Sequence, residues 1–294
     1  MDAKHTFDSK QFLPPSGNKS PPQAYLIIGF DTEYQRESII NDEGKVELRN
    51  RVLCYTYSCQ IVGVSSSTTE HVWSGIIYAD GPDDGDRLSL SDFVQTALAA
   101  GFETITDLTV PSDIYLVAHF TRADVPGFSD FKNEAARAAM NLENVRNLFM
   151  NVRESIDLDL KITGGRKPVT VKVKIRDTMA LAPAGATSLA KLGDILGYEK
   201  LTLSPDPIQE LYYKEHMAEF MESEPDLFRE YAIRDAEICT QYTAKIIKLY
   251  CDQTGKFKLP VTLTSIGVDM IQNYWATNKI DTLDLSDAGR NSRI

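Results

Sequence analysis

The sequence predicts an α/β protein in which helices flank a mixed β-sheet, and three observations carry that expectation. Tyr25-Leu-Ile-Ile-Gly-Phe30 is a mostly apolar run with Pro21-Pro22 before it, the pattern of a buried central strand. Two further β-rich runs, 51–63 and 70–78, follow with short links, as in an antiparallel meander. Late in the chain the period changes to that of a helix, with Leu227, Phe228, Tyr231, Ile238, Tyr242 and Ile246 on one face.

Composition bounds the reading. A chain of 294 residues can bury one large core, and 43% hydrophobic with 25% charged residues is ordinary for a globular protein. No apolar run reaches the length of a membrane span, and Met-Asp-Ala-Lys-His is not a signal-peptide core, so no membrane partner is expected. The four cysteines form no C-x-x-C pair and read as reduced residues of a cytoplasmic protein. A net charge of −11 argues against nucleic acid as a partner, but the charge is unevenly spread. Ser204–Glu237 is rich in acid, whereas Lys161–Arg176 carries six basic residues and no acid. An acidic site that holds divalent metals can still bind phosphates through them.

Along the chain, residues 1–23 are polar and Pro-rich and read as a disordered leader. Glu37–Asn50 is expected to be a hairpin loop. Ser91-Asp92 fits the start of a helix through Phe93, Val94, Ala97 and Leu98. Asp113–His119 is another short buried strand, and Asn133–Met150 has a helical pattern. Ile156–Ile162 and Val169–Arg176 alternate around Gly164-Gly165 and predict a hairpin. In its second strand Val169, Val171, Val173 and Ile175 face a core, opposite a ridge of Lys172, Lys174 and Arg176. That ridge suits either phosphate contacts or a solvated edge strand. A short helix ending at Gly197, a helical stretch over 207–221 and a long helix from Pro225 to about Tyr250 complete the pattern.

Polar residues that interrupt this scaffold form a candidate site. Asp31 and Glu33 are i, i+2 on a strand and project to one side. Adjacent buried carboxylates stay ionised together only with a cation between them. Asp124 follows a later strand. Tyr231 and Asp235, one helical turn apart, share a face where a lone carboxylate needs a partner. Four carboxylates from three distant segments, with one tyrosine, make a two-cation site.

This ordered set resembles the three motifs of the DnaQ-like 3′–5′ exonucleases of the DEDD class, in the subgroup with tyrosine in the third motif. The hairpin, Arg176-Asp-Thr-Met-Ala-Leu-Ala-Pro183 and Ser188-Leu189 look most like the editing domain of family B DNA polymerases, with phage and plasmid enzymes nearest. The resemblance implies a ribonuclease H-like five-stranded mixed sheet, an inserted β-hairpin and a helical C-terminal part. It places an exonuclease domain over 24–250, followed by an extension over 251–294 similar to the junction with a polymerase. It implies two Mg²⁺ or Mn²⁺ ions on Asp31, Glu33, Asp235 and Asp124, with Tyr231 orienting the attacking water. Asp177 follows a strand as well, but its Asp-Thr pair is usually structural in that family. His119 and Ala123 depart from the second motif, which usually has Asn and an aromatic there. His119 either replaces the Asn as a donor or is a satisfied strand-end histidine.

The function expected is therefore metal-dependent hydrolysis of single-stranded DNA from its 3′ end. Phe30, Tyr34 and Phe120 are placed to stack on the terminal base, and Lys172 and Lys174 to meet phosphates. A polymerase domain or replication proteins would be the protein partners, in a bacterial, phage or plasmid context. Two alternatives stay open: an exoribonuclease of the same fold, and a non-catalytic module that binds nucleic acid or a replication partner.

Overall fold

The computed structural model describes residues 6–13, 22–40, 43–64, 71–161 and 167–280. A short strand β1 (Phe12–Leu13) precedes two long ones, β2 (Ala24–Ile40) and β3 (Val46–Gly63). They pair antiparallel along their whole length, with a register shift at Glu33/Tyr34. The expected loop over Glu37–Asn50 is thus mostly strand. Cross-strand ion pairs from Glu37 to Arg49 and Arg51 support this outer half where apolar burial is absent. Next come β4 (Val72–Tyr78) and α1 (Leu90–Thr104). The Ser89 hydroxyl caps α1 by accepting from the Asp92 amide, two residues earlier than Ser91 suggested.

Strands β5 (Val110–Pro111) and β6 (Asp113–Ala118) lead into three short helices, α2 (Thr121–Asp124), α3 (Ser129–Lys132) and α4 (Glu134–Ala139). The helix expected over Asn133–Met150 stops at Ala139. The rest forms a hairpin of β7 (Glu143–Val145) and β8 (Leu148–Met150). Arg146 and Asn147 both adopt positive φ, 53° and 62°, as a type I′ turn requires. The pair β9 (Ile156–Leu160) and β10 (Val169–Asp177) is antiparallel as expected, while its Gly164-Gly165 turn lies outside the described residues. Helices α5 (Leu189–Leu196), α6 (Pro207–Glu215), α7 (Met217–Ser223), α8 (Pro225–Thr254) and α9 (Leu263–Thr277) follow. The stretch expected as one helix breaks at His216, where ψ is 50°.

Among the described residues the main sheet has six strands, not five, in the order β4-β3-β2-β6-β10-β9. Pairs β2/β6 and β6/β10 are parallel and the others antiparallel. The hairpin is therefore no appendage. Its second strand continues the sheet beside β6, and β9 forms the edge. The ridge on β10 is interrupted too: Arg176 is buried, while Lys172 and Lys174 are half-buried.

One face of the sheet packs Leu26, Ile28 and Phe30 against α1, and the other packs Tyr25, Ile27 and Tyr115 against α8. Part of the expected leader, residues 6–13, packs against the domain. Phe7 and Phe12 are buried and cluster with Phe102, whose ring lies 5.3 Å from Phe7 and 5.8 Å from Phe12. Among the described residues no helix is long and apolar enough to cross a membrane.

Candidate metal centre

Asp31 and Glu33 lie on β2 just past the stretch where it is flanked by both β3 and β6. Helix α8 brings Asp235 to them through a close approach at Gly29. A Cβ there would lie 2.2 Å from Thr240 Oγ1 and 2.3 Å from the Ala236 carbonyl oxygen. The Gly29 amide donates to Thr240 Oγ1 (3.0 Å), and that hydroxyl donates to the Ser58 carbonyl (2.8 Å). The helix is thereby pinned to β2 and β3 about one turn beyond Asp235. As a result, carboxylate oxygens of Asp31, Glu33 and Asp235 lie within 4.8 Å of one another.

Asp124 stands beside this trio. It is 3% exposed, its Oδ1 accepts from Thr32 Oγ1 (2.7 Å), and its Oδ2 has no hydrogen-bond partner. Tyr34 holds this segment by donating to the Ala123 carbonyl (2.9 Å). Asp235 Oδ1 is also buried without a partner, while its Oδ2 is bound by the ammonium of Lys200. That ammonium lies 5.0 Å from the centre of the Tyr231 ring. The buried Tyr231 has no hydrogen-bond partner for its hydroxyl among the described residues.

The electrostatics follow from four acids that Lys200, with Arg234 acting on Asp235, only partly offsets. Burial pushes the Asp31 carboxyl well above the usual range, and Asp124, Glu33 and Asp235 push it further. Burial and then Asp235 raise Glu33 to about 7, against the pull of Lys200. Asp124 is raised by burial, with the Thr32 hydrogen bond opposing. Asp235 is raised by burial and lowered again by Lys200. For Lys200 the cost of burying its charge is outweighed by Asp235 and Tyr231, which hold it protonated. The site is short of positive charge, two of its oxygens have no partner, and its donors are all hard oxygens. These residues fit a divalent cation of the Mg²⁺ or Mn²⁺ type.

Other predicted residues fall in different places. Phe30 is fully buried between Phe93 and Phe128, ring centres 6.0 and 5.6 Å away, and is unavailable to a base. It points to the sheet face opposite Asp31, because neighbours in a strand alternate. Tyr34 is half-buried and ties down the Asp124 segment. Phe120 is 40% exposed and has a φ of 75°. Asp177 fixes that corner by accepting from the amides of Phe120 (3.1 Å), Thr121 (2.5 Å) and Met179 (2.8 Å). His119 Nδ1 lies 2.9 Å from Thr178 Oγ1, and the ring also bonds the Thr187 backbone. Lys172 and Lys174 lie on the α8 side of the sheet, as Asp31 does, but lower along it, with Lys174 in register with Tyr115. Lys200, Gly29 and Thr32 belong to the site and were not among the residues predicted for it.

No family model matches the chain. The chain is similar to the primer-independent DNA polymerase PolB of Escherichia coli, 29% identical over 278 residues, which cover 90% of this chain and 30% of that protein. The chain therefore spans under a third of its relative's length. The similarity supports a domain related to a DNA polymerase of the B type.

Proposed function

We propose that the chain is a two-metal 3′–5′ exonuclease acting on single-stranded DNA ends, the proofreading part of a replicative polymerase. In this reading a ribonuclease H-like exonuclease domain spans 24–250, and 251–294 leads towards a polymerase. The observation that carries it is the convergence of Asp31, Glu33 and Asp235 within 4.8 Å, with the ammonium of Lys200 bound to one oxygen of Asp235. The relative is a DNA polymerase, which favours DNA as the substrate.

The chemistry supplied by bound divalent ions is Lewis acidity for in-line hydrolysis of a phosphodiester. Asp31, Glu33 and Asp235 would hold them, with Asp124 Oδ2 completing the second position. Lys200 occupies Asp235 Oδ2 and leaves Oδ1 for an ion. The Tyr231 hydroxyl is kept protonated by burial and by Glu33, so it can position the attacking water but not deprotonate it. Phe120, exposed on its strained corner, is the aromatic that can stack on a terminal base.

The test is degradation of 5′-labelled single-stranded DNA and RNA in Mg²⁺, Mn²⁺ or EDTA. Stepwise shortening of DNA from the 3′ end, abolished by EDTA, is expected. Faster loss of RNA would make the chain an exoribonuclease, and binding without cleavage in either metal would make it a non-catalytic module.

A further inference from the structure

Away from the acids, the same side of the sheet forms a second, oppositely charged cavity. Residues 255–262 and α9 fold over β6 and β10 there. The Leu259 amide donates to the Tyr115 hydroxyl (3.2 Å), and the Tyr25 hydroxyl donates to the Phe257 carbonyl (3.4 Å). They roof a cavity of about 280 Å³ whose lining includes Lys174, Arg176, Lys258, Tyr115, Tyr250 and Asp269. Lys174 is in register with Tyr115, and Tyr115 with Ile27, four residues before Asp31 on β2. At roughly 3.3 Å per residue the cavity lies about 13 Å below the metal centre. It shares no lining residue with that centre.

The cavity holds more positive charge than its own carboxylates answer. Arg176 is 4% exposed, its Nη1 is used on the Asn151 and Ile175 carbonyls, and its Nε has no hydrogen-bond partner. Lys174 and Lys258 make no ion pair among the described residues. Asp269, the acid in the lining, is already engaged by the Tyr250 hydroxyl and by Lys256 (3.0 Å). Burial lowers the Lys174 pKa, and so do Arg176, Lys172 and Lys258, with Asp113 opposing. A buried guanidinium N–H without an acceptor is costly, and the acceptor that matches such a fork beside two ammonium groups is a phosphate.

We propose that this cavity binds a phosphate monoester dianion, seated between Arg176, Lys174 and Lys258. Its volume lies just below the range of most ligand cavities, roughly 300–1,000 Å³, which suits one small phosphorylated molecule rather than a polymer. The site is independent of the exonuclease reading, because no acid of the metal centre takes part.

The experiment is calorimetric titration of the full chain in EDTA at fixed ionic strength, which silences the metal centre. The probes are inorganic phosphate, a nucleoside 5′-monophosphate and the unphosphorylated nucleoside. One saturable site per chain is expected for the first two and none for the nucleoside. Equal affinity for the two phosphates would identify the phosphoryl group alone as the ligand. Tighter binding of the monophosphate would identify the ester, again in support. Lys258→Glu, on an exposed residue, should weaken binding at least tenfold, and Lys174→Met should do the same. No saturable binding of either phosphate to the wild-type chain would overturn the proposal. So would wild-type affinity in both variants, with melting curves showing them folded.

Discussion

The ammonium of Lys200 rests on one carboxylate oxygen of Asp235 and leaves the other buried and unpartnered. A cation from a loop thus stabilises one acid of the centre while three others remain without a charge partner of their own. Lys200→Met should lower the melting temperature of the metal-free protein, since removing one member of a buried pair costs about 3–5 kcal/mol, less here because the Lys200 side chain is 25% exposed. It should also enlarge the stabilisation by Mn²⁺, because the ion then relieves more repulsion. Thermal melts with and without Mn²⁺ decide this, and a variant with both values unchanged would remove Lys200 from the centre.

Gly29 sets the distance between β2 and α8. Gly29→Ala would drive a methyl into Thr240 Oγ1 and the Ala236 carbonyl, and neither can yield without moving the helix. The expected cost is about 1–3 kcal/mol of stability, with a loss of metal affinity as Asp235 moves away from Asp31. Denaturant melts and Mn²⁺ titration measure both. Full metal affinity in a destabilised variant would show that the helix position is not critical.

The acids predict an unusual pH dependence. Glu33 titrates near 7 in the folded chain against an ordinary 4.5, and Asp31 and Asp124 are raised as well. Between these limits the folded state binds more protons than the unfolded one, so stability falls as pH rises. Metal-free protein should therefore lose stability from about pH 4.5 to 7, and saturating Mg²⁺ should remove that slope. Denaturant melts across this range provide the check, and rising stability without metal would contradict the burial of these carboxyls.

Much of this was legible in the sequence, for reasons that particular residues make plain. Asp31, Glu33 and Asp235 announce themselves because charge on otherwise apolar segments has few structural uses. Alternation marked the buried face of β10 through Val171, Val173 and Ile175. The same alternation should have set Phe30 aside, since a residue next to Asp31 must face the other way. Gly29 did carry a signal, as a glycine inside an apolar strand marks a close approach of backbone. Lys200 carried none: a loop lysine among acid-rich segments is indistinguishable from surface charge until the fold closes over it. The outer halves of β2 and β3 were missed because cross-strand ion pairs there replace the apolar pattern. The β7–β8 hairpin was missed because Arg146 and Asn147 take left-handed conformations without a glycine.

Tyr231 lies one helical turn before Asp235, and among the described residues its hydroxyl has no hydrogen-bond partner. Tyr231→Phe keeps the ring beneath Lys200 and removes only that hydroxyl. One orienting hydrogen bond in a preorganised site is worth on the order of 2–4 kcal/mol, or about 30- to 1,000-fold in rate. Single-turnover cleavage should fall by that factor while Mn²⁺ affinity stays constant. Equal rates would make Tyr231 a packing residue only.

The most direct measurement is the number of Mn²⁺ ions bound per chain, read by electron paramagnetic resonance on the wild type and on Asp31→Ala. Two ions should bind the wild type. The variant should lose at least one of them, stop cleaving DNA, and melt no lower than the wild type without metal, because the substitution removes a repelling charge. A wild-type chain that binds no Mn²⁺, or a folded Asp31→Ala that binds two, would contradict the assignment of this acidic cluster as a metal centre.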